Sequence, residues 1–361
     1  MPPFTQPHSL SGTTMSNRIL IVGVLLTLAV LPAVPRSATA QEKKAYPTLG
    51  TIERADPRFD KLIPKDAKLE KLAEGFIWTE GPVWVKKGGY LLFSDIPNNV
   101  VNKWQEGKGI TAYLKPSGYT GKKPRGGKPG DEPGSNGLVL DAKGRLVLCE
   151  HGDRQVSRIE ADGTKTVLAR EYMGKRLNSP NDAVFKSNGD LYFTDPPYGL
   201  PKHYDDPARE LDFCGVYRIS AKDGKLTLLT KDMSRPNGIA FSLDEKTLYV
   251  ANSDPKKAVW MAFDVKADGT LGQGRVFYDA SKWVGKRKGL PDGMKIDREG
   301  NLFATGPGGV LVFTPDGTYL GNIDPQVPTA NCAFGDDGTV LYVAANNWIC
   351  RIRTSTKGKG F

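Results

Sequence analysis

From about Leu72 to Arg353, apolar and polar positions alternate in short runs, and β-branched and aromatic residues fill many of the apolar places. Runs of this period, bounded by Asp-Gly, Asn-Gly and Pro signals, predict half-buried strands joined by tight turns. Asp162-Gly163, Asp223-Gly224, Asp268-Gly269, Asp316-Gly317 and Asp337-Gly338 are dipeptides of the hairpin type. No long stretch carries the 3.6-residue period of an amphipathic helix. The predicted class is all-β.

One phrase recurs six times within this pattern. It opens with a polar residue and runs into an apolar stretch: Glu80-Gly81-Pro82-Val83-Trp84, Asn136-Gly137-Leu138-Val139-Leu140, Asn181-Asp182-Ala183-Val184-Phe185, Asn237-Gly238-Ile239-Ala240-Phe241, Asp292-Gly293-Met294-Lys295-Ile296 and Asn331-Cys332-Ala333-Phe334. The openings lie roughly 40 to 56 residues apart, within or near the range of propeller arrays. A turn and a second apolar run follow each, at 90–94, 145–148, 190–194, 247–251, 301–305 and 340–344. Six repeats of about four strands each predict a six-bladed β-propeller over 73–353, with 41–72 leading into or lying across it and 354–361 as a basic tail. Equivalent positions in a ring of repeats face one axis, so the six openings should converge there.

Two interruptions are long for propeller connections, 115–135 and 196–212. The first is rich in Gly, Lys and Pro and reads as mobile. The first links two repeats and the second joins two strands within the third repeat. Both should overhang the face where the polar openings gather.

Charge and targeting narrow the function classes. The formal charge is +10. Lysines cluster at 115, 122, 123 and 128 and at the tail, and they read as solvated Gly/Pro-rich stretches rather than a nucleic-acid surface. The N-terminus carries Arg18, an apolar run from Ile19 to about Val34, and Ala38-Thr39-Ala40 before Gln41. This is the pattern of a secretory signal over 1–40, with the residues before Met15 an over-extended start. The run is about 16 residues long and contains Pro32, which argues against a retained membrane span. An exported protein, periplasmic or secreted, is expected. Four cysteines form no C-x-x-C pair, which argues against structural zinc. Cys332 and Cys350 either pair or remain buried thiols.

The openings suggest chemistry. Glu80 and Asp292 supply two carboxylates, and Asn136, Asn181, Asn237 and Asn331 supply amide oxygens. Hard oxygen donors with two carboxylates suit Ca²⁺, with Mg²⁺ or Mn²⁺ as alternatives and Zn²⁺ less favoured. Asn-Gly and Asp-Gly are also ordinary turn dipeptides. Six polar openings in one register, and a Glu at the first, favour a metal ring in a central channel. A second tier ends the second strands: Asp95, Glu150-His151, Asp195 and Asn252. His151 is a candidate base or substrate contact, and His203 on the long loop is a weaker substrate-side candidate.

These motifs, with Leu177-Asn178-Ser179-Pro180-Asn181-Asp182, Phe193-Thr194-Asp195-Pro196-Pro197-Tyr198-Gly199 and Leu290-Pro291-Asp292-Gly293-Met294, closely resemble the SMP-30/gluconolactonase/LRE-like family, in its bacterial gluconolactonase branch. The resemblance implies a six-bladed propeller with a divalent metal, usually calcium, held by Glu80, Asn181, Asn237 and Asp292. It also implies Asp292 as general base. The more distant paraoxonases place two histidines where this chain has Asn136 and His151, so a histidine dyad is not expected. The expected reaction opens a sugar lactone to its aldonic acid, with Asn136 and Asn181 positioning the substrate. The chain has no G-x-S-x-G nucleophile elbow. Two rivals stand beside it: a metal-dependent hydrolase of aryl esters or organophosphates, and a non-catalytic propeller that binds a sugar or protein.

Overall fold

The computed structural model describes residues 12, 15, 16 and 45–361; the expected signal segment falls outside this range apart from those first three residues. From Thr48 onward the regular elements are almost all strands, the exceptions being one short helix at Phe59–Leu62 and two 3₁₀ turns. Six antiparallel sheets of four or five strands follow one another, with a small two-stranded ribbon, Glu171–Tyr172 with Lys175–Arg176, between the second and third. Their innermost strands are Thr79–Val85, Ser135–Leu140, Ala183–Phe185, Pro236–Phe241, Met294–Ile296 and Thr329–Gly335. Each of these contacts the next, and the sixth contacts the first. The molecule is a six-bladed β-propeller.

The expected hairpin turns form as their chemistry requires. Gly163, Gly224, Gly269, Gly317 and Gly338 all have positive φ. The preceding Asp accepts a hydrogen bond from the backbone N–H two residues on, at 2.9 to 3.2 Å. The Asp closes an Asx turn and Gly supplies the left-handed conformation.

The ring is closed by the N-terminal segment. The sixth blade contributes three strands from the C-terminal end of the chain, and Leu69–Glu74 pairs with Trp348–Arg353 as the fourth. Thr51–Arg54 adds a fifth strand to blade five by pairing with Tyr319–Asp324. The tail after Arg353 is also docked: the backbone N–H of Lys359 donates to Ile296 O at 2.9 Å, and Thr354 and Thr356 are buried.

The core is divided among the clefts between blades. Each cleft holds its own apolar cluster, for example Leu92, Val101, Leu138 and Leu148 between blades one and two, and Ala262, Trp260, Met294 and Phe313 between four and five. Strand alternation explains this, since a strand buries one set of side chains against the preceding blade and the other set against the following one. Trp84 of blade one stacks on Tyr342 of blade six, with ring centroids 5.3 Å apart, across the closing cleft. Cys332 and Cys350 both lie in the blade five–six cluster as free thiols.

Candidate functional site

The innermost strands approach the axis closely because Gly follows the opening residue in four repeats. A Cβ on Gly81 would stand 2.2 Å from Asn136 O, and one on Gly238 would stand 2.1 Å from Asp292 O. A Cβ on Gly137 would meet Asp182, and one on Gly293 would meet the Asn331 side chain. Each of these glycines therefore packs against the opening of the next blade, which no other residue could do. Hydroxyls on the second strands tie neighbours together: Ser94 Oγ donates to Asn136 O, Thr194 Oγ1 to Asn237 O and Thr305 Oγ1 to Ala330 O, at 2.7 to 2.9 Å.

Glu80, Asn136, Asn181, Asn237 and Asn331 are all buried at this hub, and Asp292 is half-buried. The side-chain oxygens Asn136 Oδ1, Asn181 Oδ1, Asn237 Oδ1 and Asp292 Oδ1 are sealed from solvent and accept no hydrogen bond. Leaving a buried acceptor unpaired costs roughly 1–3 kcal/mol, so four at one hub are a strong demand for a donor or a cation. Burial first, then the Gly81 N–H and the charge of Asp182, set Glu80, whose carboxyl is pushed up to about 8. Asp292 is raised well above the usual carboxylate range by burial, then by the charges of Glu80, Asp182 and Glu132. Concentrated negative charge and orphaned amide oxygens together fit a hard divalent cation. Among the described residues no group of three or more His, Cys, Asp or Glu side chains is arranged to hold a metal. A cation here would depend on the amide oxygens as much as on the carboxylates.

The second tier braces the ring segments. Asp95 Oδ1 accepts from the backbone of Ile77 and Trp78. Asp195 accepts from Asn178 and Ser179, both at 2.8 Å. Asn252 Oδ1 accepts from Arg235 at 2.9 Å. Each receives backbone N–H groups from just before Glu80, Asn181 or Asn237, so these side chains aim the ring segments instead of lining the site. Glu150 is sequestered by Gln155 and Lys165, both at 2.7 Å. His151 is fully buried, with Nδ1 3.1 Å from Glu132 Oε2 but off the alignment of a hydrogen bond. His203 sits half-buried in its 3₁₀ turn, its ring edge-on to Tyr198 at 6.2 Å.

The 115–135 loop, read as mobile, is pinned. Asn99 Oδ1 accepts from the backbone of Ser117, Gly118 and Tyr119. Arg125 Nη2 donates to Gly199 O at 2.6 Å, which joins this loop to the 196–212 loop.

Three residues near the hub escaped the sequence reading. Asp182 stands where four other repeats have Gly, and its Oδ2 lies 3.4 Å from Asn331 Nδ2. Its departure from the pattern was the available signal. Tyr198 lies near Asp292 and Glu132, burial being the main cause that raises its hydroxyl. Glu132 carried no periodic signal, because it belongs to an irregular loop. A separate polar cavity of about 300 Å³, lined by Thr120, Asp153, Gln155, Lys165, Arg170 and Arg176, lies beside the outer strands of blade two. Its cations already have partners: Lys165 pairs with Glu150, Arg170 donates to Gln155 and Arg176 to Asp153 O.

Comparison with known proteins agrees with this fold. The profile of the SMP-30/gluconolactonase/LRE-like region matches residues 78–347. A gluconolactonase of Zymomonas mobilis is 38% identical over 357 residues, covering 96% of this chain and 99% of that protein. The diisopropyl-fluorophosphatase of Loligo vulgaris is 27% identical, covering 68% of this chain and 78% of its own. The solved structure of a gluconolactonase from Xanthomonas campestris superposes with a TM-score of 0.73 at 31% identity, covering 87% of this chain and 99% of that one. With the ring motifs, the six blades and these matches in agreement, the chain belongs to the SMP-30/gluconolactonase/LRE-like family.

Proposed function

We propose that this protein is a lactonase that opens a sugar lactone to its aldonic acid and depends on a divalent cation, Ca²⁺ being the best match to its oxygen donors. The observation that carries the reading is the set of unpartnered hub oxygens of Asn136, Asn181, Asn237 and Asp292. The near full-length similarity to the Zymomonas gluconolactonase supports the reaction class. The N-terminal pattern supports export, to the periplasm or beyond.

Glu80, Asn181, Asn237 and Asp292 would hold the cation. When bound, it supplies Lewis-acid polarisation of the lactone carbonyl and stabilises the oxyanion. Asn136 and Asn181 orient the ester through their amides, and His203 lies on the loop that edges the site. Asp292 or His151 accepts the proton of the attacking water. A lactone needs no protein nucleophile, since its ring oxygen is a leaving group already tethered in place.

The test is metal content of the purified protein, with lactone hydrolysis measured before and after chelation and in Asp292→Ala. Loss of both bound cation and turnover in that variant is expected. Full hydrolysis by chelated Asp292→Ala would sink the mechanism. A substrate panel with aryl esters and organophosphates separates the rival hydrolase. Thermal stabilisation by a sugar without hydrolysis of any lactone would identify a binding module.

A further inference from the structure

Glu132 belongs to the loop between blades one and two, yet it stands over the hub. Burial is the main cause that raises Glu80, Asp292 and Tyr198, and the nearby Glu132 charge adds a smaller contribution to each. Glu132 Oε2 is 3.1 Å from His151 Nδ1, and the His151 side chain is wholly buried while that of Glu132 is 23% exposed.

Backbone contacts hold the pair in register. The N–H of His151 donates to Gly134 O at 3.2 Å, and that of Gly152 to Pro133 O at 3.1 Å. The residues that follow Glu132 are thereby clamped to the turn that begins at His151, just past the strand Leu146–Glu150. On the other side Gly199 presses so close that a Cβ there would lie 2.5 Å from His151 Cβ. Gly199 is itself tied to the first loop by Arg125. The imidazole is therefore boxed in, with one carboxylate oxygen 3.1 Å from Nδ1 and neither ring nitrogen yet hydrogen-bonded. A carboxylate beside one ring nitrogen favours the proton there and leaves the other nitrogen as the acceptor.

We propose that Glu132 is a positioning residue for His151: a small rotation of its carboxyl, already 3.1 Å from Nδ1, lets it accept Nδ1–H, hold the tautomer with a bare Nε2, and so prepare His151 to act as base toward the attacking water. The inference rests on the lactone-hydrolysis reading. As the water oxygen bonds to the carbonyl carbon, its proton passes to Nε2, and Glu132 stabilises the imidazolium. When the ring C–O bond breaks, the departing oxygen takes that proton, which leaves the hydroxy acid and a neutral imidazole. Water is the only co-reactant.

The experiment pairs steady-state kinetics of Glu132→Ala and Glu132→Gln with ¹⁵N spectra of the His151 ring in the wild-type protein. Glu132→Ala should lower kcat by about 10²-fold, the order expected for general-base assistance, with KM changed little. Glu132→Gln, which keeps an acceptor oxygen, should fall between Ala and the wild type. The ring spectrum should show protonated Nδ1 and unprotonated Nε2. An unchanged kcat, a loss confined to KM, or the opposite tautomer in the wild type would each overturn the proposal. If the variants fail to fold, the wild-type spectrum still decides. A wild-type protein that hydrolyses no lactone sinks the functional reading, whereas an active wild type with an equally active Glu132→Ala sinks this inference alone.

Discussion

Arg125 Nη2 reaches Gly199 O at 2.6 Å and so fastens the two long loops to each other above the hub. Arg125 also lies over the Tyr119 ring, 5.0 Å from its centroid. Sequence places these loops in different blades; the hydrogen bond makes them one cover. Arg125→Ala should cost little global stability, since the blades are packed independently of it. Limited proteolysis should cut within 120–130 faster than in the wild type, and KM for the lactone should rise several-fold. Unchanged proteolysis would show that the backbone ties suffice.

The hub carboxylates should trade stability for cation binding. Burial and mutual repulsion make Glu80 and Asp292 unfavourable as a pair of free anions. In the presence of chelator at pH 8, Asp292→Asn should therefore be more stable than the wild type by about 1–2 kcal/mol, the size expected from removing a strained functional charge. Added Ca²⁺ should stabilise the wild type and leave the variant unchanged. Thermal melts with and without the cation read both effects.

Gly238 is required by space. A Cβ there would come 2.1 Å from the carbonyl oxygen of Asp292, a backbone atom that cannot swing aside. Gly238→Ala should destabilise by about 3 kcal/mol, the upper range for overpacking, in urea titration. Because the displaced atom belongs to a ring residue, cation affinity should fall as well.

Acid sensitivity has a defined local source at Glu245. Burial alone would raise its carboxyl, but the Ser187 hydroxyl and the Lys186 ammonium outweigh it and hold it at about 2. Lys359 of the docked tail lies 3.4 Å away. A depressed carboxyl stabilises the fold above its ordinary range and loses that contribution as pH falls toward about 2. Glu245→Gln should cost roughly 1 kcal/mol at neutral pH after allowance for solvent screening, and its melting temperature should fall less steeply than that of the wild type between pH 4.5 and 2.

The sequence by itself determined the blades and the identity of the hub. Period-two alternation, Asp-Gly turns and six recurrent openings are local signals, and each is legible because a strand or a two-residue turn depends mainly on its own residues. The convergence of Glu80, Asn136, Asn181, Asn237 and Asp292 followed from repetition, since equivalent positions in a closed ring share an axis. Only the tertiary structure decided the rest. Leu69–Glu74 completes blade six by pairing with a strand at the opposite end of the chain, and nothing local marks its partner. Asp95, Asp195 and Asn252 turn toward backbone N–H groups because those donors would otherwise be buried unpaired. Glu132 meets His151 through an irregular loop whose path is set by scattered hydrogen bonds, from Gly127 N–H to Pro97 O, from Ser117–Tyr119 to Asn99 and from Arg125 to Gly199 O, and such long-range contacts carry no periodicity for a sequence to display.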